Sequence, residues 1–216
     1  KSNPLFPCLF VTIACGIISG FHATQSPIVA RTMTSEKQAR STFFGMMVLE
    51  GIIAMIWAAA ALAIYNLAPE NLSLNGPAVL GNITKHFLGM WMGGVTIFAI
   101  VVLAITSGDT ALRSARLSIS EIFSINQIGL IKRIMTTLPL IAIVSLLLWW
   151  SNLNAKSFNN LWNYFAWGNQ MLSATTLMAA SVWLIRQGKK VSSIVTLLPG
   201  MFMTAVIATF ILWTPG

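Results

Sequence analysis

Six stretches of roughly twenty mostly apolar residues, separated by short polar loops, leave this chain few folds to adopt. A bilayer core is about 30 Å thick, and a helix rising about 1.5 Å per residue crosses it in about 20 residues. Backbone N–H and C=O groups in hydrocarbon must be satisfied within the protein, which favours helices. The stretches fall at residues 4–30, 43–65, 87–111, 134–150, 161–185 and 194–213. Composition agrees: 56% of the 216 residues are hydrophobic and 8% are charged, against a charged share of about 25% in soluble domains. An ordinary soluble domain is excluded. The predicted fold class is an all-α membrane protein with about six transmembrane helices, the first of them broken.

The net charge of +8 comes from 13 basic and 5 acidic residues. These basic residues do not share one polar face, so nucleic acid is not an expected partner; they sit in loops, where membrane lipid explains them. Arg31, Lys37 and Arg40 follow the first span, Arg113, Arg116, Lys132 and Arg133 the third, and Arg186, Lys189 and Lys190 the fifth. Only Lys1, Lys85 and Lys156 fall on the other side. By the positive-inside rule the ten-residue set is cytoplasmic, and both ends of the sequence face outward. Trp149, Trp150, Trp162, Tyr164 and Trp167 then lie near the outer face, as an aromatic belt would. The outer loop 66–86 has the spacing of a short surface helix, and the inner loop 117–129 reads as a short amphipathic helix at the interface. Glycines and alanines within the spans, such as Gly89, Gly93, Gly94, Ala179 and Ala180, predict close helix approach.

Cys8 and Cys15 are seven residues apart, about 10.5 Å along a helix and too far for a disulfide. They read as small buried hydrophobes. No metal-ligand spacing such as CxxC or HExxH appears. The sequence opens on Lys1 and stops after an apolar run, which reads as a piece of a longer polypeptide.

Polar groups inside the spans are where chemistry is expected. The first cluster is TIACGIISGFHATQSP, residues 12–27. If the helix unwinds around Gly16 to Gly20, a second half-helix starts near Phe21 and His22 with free N–H groups and a positive dipole end, suited to a carboxylate. Gly16, Ser19, Gly20, His22, Thr24 and Gln25 are the expected substrate contacts; the competing reading is a kinked packing helix whose polar groups bond to neighbours. The second cluster, Thr106, Ser107 and Asp109, offers hard oxygen ligands for Na⁺ or a proton relay. Asp109 is also four residues before Arg113, the spacing of a helical ion pair. Glu50 lies about two turns into the second span and is read either as a proton carrier or as a structural partner of Arg31 or Arg40. The fourth cluster runs from Trp162 to Gln170; its aromatics favour the outer belt over a gate, with Asn169 and Gln170 deeper.

Four of these stretches carry a family resemblance. PLFPCLFVTIACGIISGFHATQSPIVAR, EGIIAMIWAAAA, ITSGDTALRSARL and FAWGNQ resemble, in that order, the carbon starvation protein A family of bacterial transporters. The resemblance runs over nearly the whole sequence; ISGFHATQSP and the TSGDTA and RSAR pieces are its most specific parts. It implies a bacterial inner-membrane permease importing peptides or pyruvate during carbon starvation, similar to the amino acid–polyamine–organocation superfamily with its two inverted five-helix repeats. This sequence is then the C-terminal part, and its first span is the broken first helix of the second repeat. The remaining N-terminal helices of the same permease would complete the site. Thr106 and Ser107 match the position where some relatives place two adjacent hydroxyls at a sodium site. Asp109 departs from that pattern, so H⁺ is as much in view as Na⁺. The expected activity is secondary transport of a small carboxylate or peptide, with no organic cofactor and no enzymatic step. The alternative is a non-transporting membrane scaffold or sensor subunit.

Overall fold

A computed structural model describes residues 6–10, 18–67 and 76–213. Every regular element among the described residues is helical. Residues 6–10 form a short helical stretch, followed by α1 (Gly20–Thr32), a 3₁₀ turn (Glu36–Gln38) and a π-helical turn (Arg40–Gly45) that leads into α2 (Met46–Leu67). Then come α3 (Gly76–Ile122), α4 (Leu130–Ser151), α5 (Ala155–Arg186) and α6 (Lys190–Trp213). Four described segments are long and apolar enough to cross a membrane: Glu36–Leu67, Gly76–Ile122, Leu130–Ser151 and Lys190–Trp213. The all-α membrane class follows. α5 has the length, at 32 residues, but its middle carries Asn163, Asn169 and Gln170, and two of these turn out to face protein.

Burial is inverted relative to a soluble domain. Among the described residues, eleven polar side chains are buried against six apolar ones, while large apolar side chains such as Trp91, at 89% exposure, stand outward. A lipid-facing surface explains this: tails solvate leucine as well as a protein core does, so the interior is left to small and hydrogen-bonded groups. Most buried hydroxyls return a bond to their own helix, as Ser181 does to Leu177 O at 2.8 Å and Ser120 to Arg116 O at 2.7 Å.

The chain divides into two compact units. The first comprises residues 1–47 and 149–216 and so contains α1, α5 and α6. α5 and α6 form a helical hairpin closed by a Schellman turn: Gly188 sits at φ 76°, Lys189 N–H bonds to Leu184 O at 3.0 Å, and Gly188 N–H to Ile185 O at 2.9 Å. Their seam is built from Ala174, Met203 and Ile207, with a hydroxyl pair, Ser181 to Thr196, at 2.8 Å. Gly200 lets the helices close up, since a Cβ there would stand 3.2 Å from Leu177 Cβ. Phe10, from the short N-terminal stretch, meets Phe202 edge to face with ring centroids 5.0 Å apart.

The second unit, residues 48–148, holds most of α2 and α4 and all of α3. α3 is two arms joined at Gly89, whose φ of 72° and ψ of −174° lie in a region open essentially to glycine. The arms meet sharply: a Cβ on Gly93 would stand 3.0 Å from Thr84 O. The first arm, 76–88, supplies the helix expected in the outer loop, though it joins a longer element at Gly89. The second arm runs over 90–122, about 50 Å. It absorbs the first half of the segment expected to be a separate surface helix at 117–129, up to Ile122, because ALRSARLSISEI offers no breaker before the turn at Ser124, φ 52°, and residues 123–129 are not helical. Of the packing glycines expected in this span, Gly93 is packed, whereas Gly94 has open space around it. α2 and the first arm of α3 border an apolar groove of about 520 Å³ lined by Ile56, Trp57, Ala60, Ile83 and Phe87.

Candidate functional site

The site is built on the start of α1. Ile18 and Ser19 are not helical, and Ser19 is extended, with φ −97° and ψ 128°. The helix therefore begins at Gly20, inside the stretch expected to span the membrane. Ser19 caps it, its Oγ accepting from Phe21 N–H at 3.2 Å. His22 N–H bonds to Ser19 O at 3.2 Å, and His22 Nδ1 lies 3.3 Å from that same oxygen. A carbonyl only accepts, so this contact puts a proton on Nδ1. Thr24 donates to Phe21 O at 2.7 Å, and Ser26 to His22 O at 2.6 Å, ahead of Pro27.

α5 supplies the other wall. Asn169 Oδ1 accepts from Phe21 N–H at 3.0 Å and from Ser19 Oγ at 3.2 Å, across 148 and 150 residues of sequence. Gly20 makes this approach possible: a Cβ there would land on the Asn169 carbonyl oxygen and 2.7 Å from Leu172 Cβ. Gln170 is fully buried, and Ser173 donates to its carbonyl at 2.8 Å. Two buried donors on this turn of α5, Asn169 Nδ2 and Trp167 Nε1, have no hydrogen-bond partner. Trp167 packs with Ile18 against the Ala174–Met203–Ile207 cluster, so this turn stays close to the start of α1. The acceptors meeting the first turn of α1 are neutral oxygens, so its positive dipole end is not cancelled by a counter-charge from them.

The expected site residues separate into two groups. Ser19, Gly20, His22 and Thr24 are together at the start of α1; Gln25 is half-buried on the same helix. Gly16 and Cys15 lie outside the described residues. Thr106, Ser107 and Asp109 share the second arm of α3, in the other unit. There Thr106 donates to Leu103 O at 2.9 Å, and Asp109 is exposed and paired to Arg113 at 2.9 Å, the helical ion pair its spacing allows. Glu50 is exposed near the start of α2. Among the described residues no three His, Cys, Asp or Glu side chains gather as a metal site. Asn169 is the member that sequence reasoning left out of the site. Its signal was an Asn-Gln pair inside an otherwise membrane-long helix.

A family model described as carbon starvation protein CstA matches residues 1–85 and 78–210. The chain belongs to the CstA family. An uncharacterized protein of Haemophilus influenzae is 41% identical over 130 residues, 60% of this chain and 88% of that protein. The peptide transporter CstA of Helicobacter pylori is 25% identical over 267 residues, 95% of this chain and 39% of the transporter. The pyruvate/proton symporter BtsT of Escherichia coli is 43% identical over 58 residues, 26% of this chain and 8% of the symporter. This chain thus spans well under half the length of the transporters it matches. The 267-residue aligned stretch exceeds the chain's own 216 residues, so the H. pylori protein carries inserted residues relative to it. No solved structure matches.

Proposed function

We propose that the chain is part of a secondary active transporter that carries peptides or pyruvate across the bacterial inner membrane during carbon starvation, coupled to H⁺ or Na⁺. The observation that carries this reading is the buried start of α1 at Ser19–Gly20, inside a stretch long enough to span a bilayer. A helix that begins at membrane depth presents N–H groups and a positive end, the arrangement transporters use for anionic solutes. The names of the H. pylori and E. coli relatives, a peptide transporter and a pyruvate/proton symporter, supply the solute classes.

In this reading Gly16, Ser19, Gly20, His22, Thr24 and Gln25 form the substrate side of a broken helix. That helix opens the second of two inverted repeats, and both ends of the sequence face outward. Thr106, Ser107 and Asp109 take part in ion coupling, with the Asp109–Arg113 pair as the element that responds to the ion. The test is uptake by the complete protein in proteoliposomes under imposed H⁺ and Na⁺ gradients. His22→Ala is expected to reduce both uptake and counterflow of labelled pyruvate or dipeptide. Asp109→Asn is expected to abolish gradient-driven accumulation while sparing counterflow. Unchanged uptake in both variants at normal expression overturns the site assignment, and absence of counterflow under any gradient favours a scaffold.

A further inference from the structure

The Asn169 amide is held at one end only. Both donors that reach it, Phe21 N–H and Ser19 Oγ–H, go to Oδ1, which fixes the orientation of the group, since an NH₂ cannot accept them. The other end, Nδ2, carries two protons and has no partner, although Asn169 is only 8% exposed. A buried amide nitrogen without an acceptor is costly, and native interiors keep few of them. Nδ2 shares its carbon with Oδ1, so it stands beside the first turn of α1. A two-proton donor there adds to the positive dipole end of α1. Trp167 Nε1, the second unpartnered donor on this turn, also only donates. Neither nitrogen has an acceptor among the described residues, and a ligand that brings oxygen acceptors would satisfy both.

We propose that Asn169 is a substrate-binding residue: Oδ1 clamps the start of α1, and Nδ2 donates to a carboxylate oxygen of the solute. This rests on the transporter reading above and extends its site to α5. One side chain would then hold the broken helix in place and read the charge that the helix end attracts. The clamp is neutral, which suits it to an anion in a low-dielectric setting where a fixed positive charge would be expensive when the site is empty.

Asn169→Asp tests it. The carboxylate keeps an acceptor for Phe21 and Ser19 but replaces the donor with a negative oxygen. With the complete protein in nanodiscs, binding of pyruvate and of alanyl-alanine near neutral pH is expected to weaken by about 10- to 100-fold, the range for losing a hydrogen bond to a charged group. As the pH falls and the introduced carboxyl takes up a proton, it becomes a donor again, so affinity recovers relative to wild type at the same pH. Charge repulsion from a residue that only braced α1 would give the same loss and recovery, so a contact seen by solid-state NMR is what separates the two roles. Unchanged affinity in Asn169→Asp, with wild type binding normally, overturns this inference and leaves the transporter reading standing. A wild-type protein that binds neither probe overturns both. Whether or not the variant folds, solid-state NMR of wild type loaded with carboxyl-¹³C pyruvate decides: a dipolar contact from that carbon to an asparagine side-chain nitrogen is expected, and its absence in a pyruvate-loaded sample overturns the proposal.

Discussion

Gly20 is the residue on which the site turns. Its missing side chain lets α1 rest on the backbone of α5 at Asn169, and that contact aligns Phe21 N–H and Ser19 Oγ with the Asn169 amide. Gly20→Ala places a methyl group on a backbone carbonyl that cannot swing aside. Overpacking of this kind costs about 1–3 kcal/mol, so thermal unfolding in detergent is expected at lower temperature, with both hydrogen bonds to Asn169 lost. Gly168, one residue before Asn169, has open space around it; Gly168→Ala is the control and is expected to unfold near the wild-type temperature. Ser19, Gly20, His22 and Thr24 were legible in sequence because glycine and hydrogen-bonding side chains are out of place in an apolar run. Asn169 was not, because its partner is 148 residues away and helical periodicity carries no information about such a pairing.

Among the elements, α3 shows where sequence reading stops. GMWMGG gives three glycines in one apolar stretch, and composition alone makes each a packing position. In the structure they have three different uses: Gly89 takes a positive φ, Gly93 leaves room for Thr84 O, which an added Cβ would approach to 3.0 Å, and Gly94 has open space where a Cβ would stand. Gly89→Ala is expected to destabilise by about 1–3 kcal/mol through backbone strain, and Gly94→Ala to change little; unfolding temperatures of the two variants measure the difference. Equal effects from both would mean that α3 does not bend at Gly89. Element boundaries shifted for a related reason. Spans end in sequence where hydropathy falls, whereas α3 and α5 continue past that point because polar helix formers sustain the hydrogen-bond ladder in water or against protein. The polar middle of α5 is the clearest case: Asn169, one of the residues that lower its hydropathy, is packed against α1.

At the scale of the whole molecule, length and alternating charge were enough for the all-α membrane class, and a buried interior richer in polar than in apolar side chains agrees with it. The division into two compact units was not foreseeable, since it depends on long-range contacts between α1 and the α5–α6 hairpin. It puts the α1 cluster and the Thr106–Asp109 cluster in different units. If those clusters serve substrate and ion respectively, coupling is a relation between units, and Asp109→Asn is expected to uncouple accumulation from exchange while substrate affinity stays within about threefold of wild type, below the tenfold that one lost interaction commonly gives. Equal loss of affinity and accumulation would place Asp109 at the substrate instead.

The central claim, that substrate sits at the buried start of α1, is tested most directly by substrate protection. In the complete protein with Cys8 and Cys15 replaced by serine, His22→Cys is alkylated in proteoliposomes with and without pyruvate or alanyl-alanine, and Thr209→Cys on α6 serves as the control. Saturating substrate is predicted to slow alkylation at position 22 several-fold and to leave position 209 unchanged. Equal rates at position 22 with and without a substrate that the His22→Cys variant itself demonstrably binds would contradict the account.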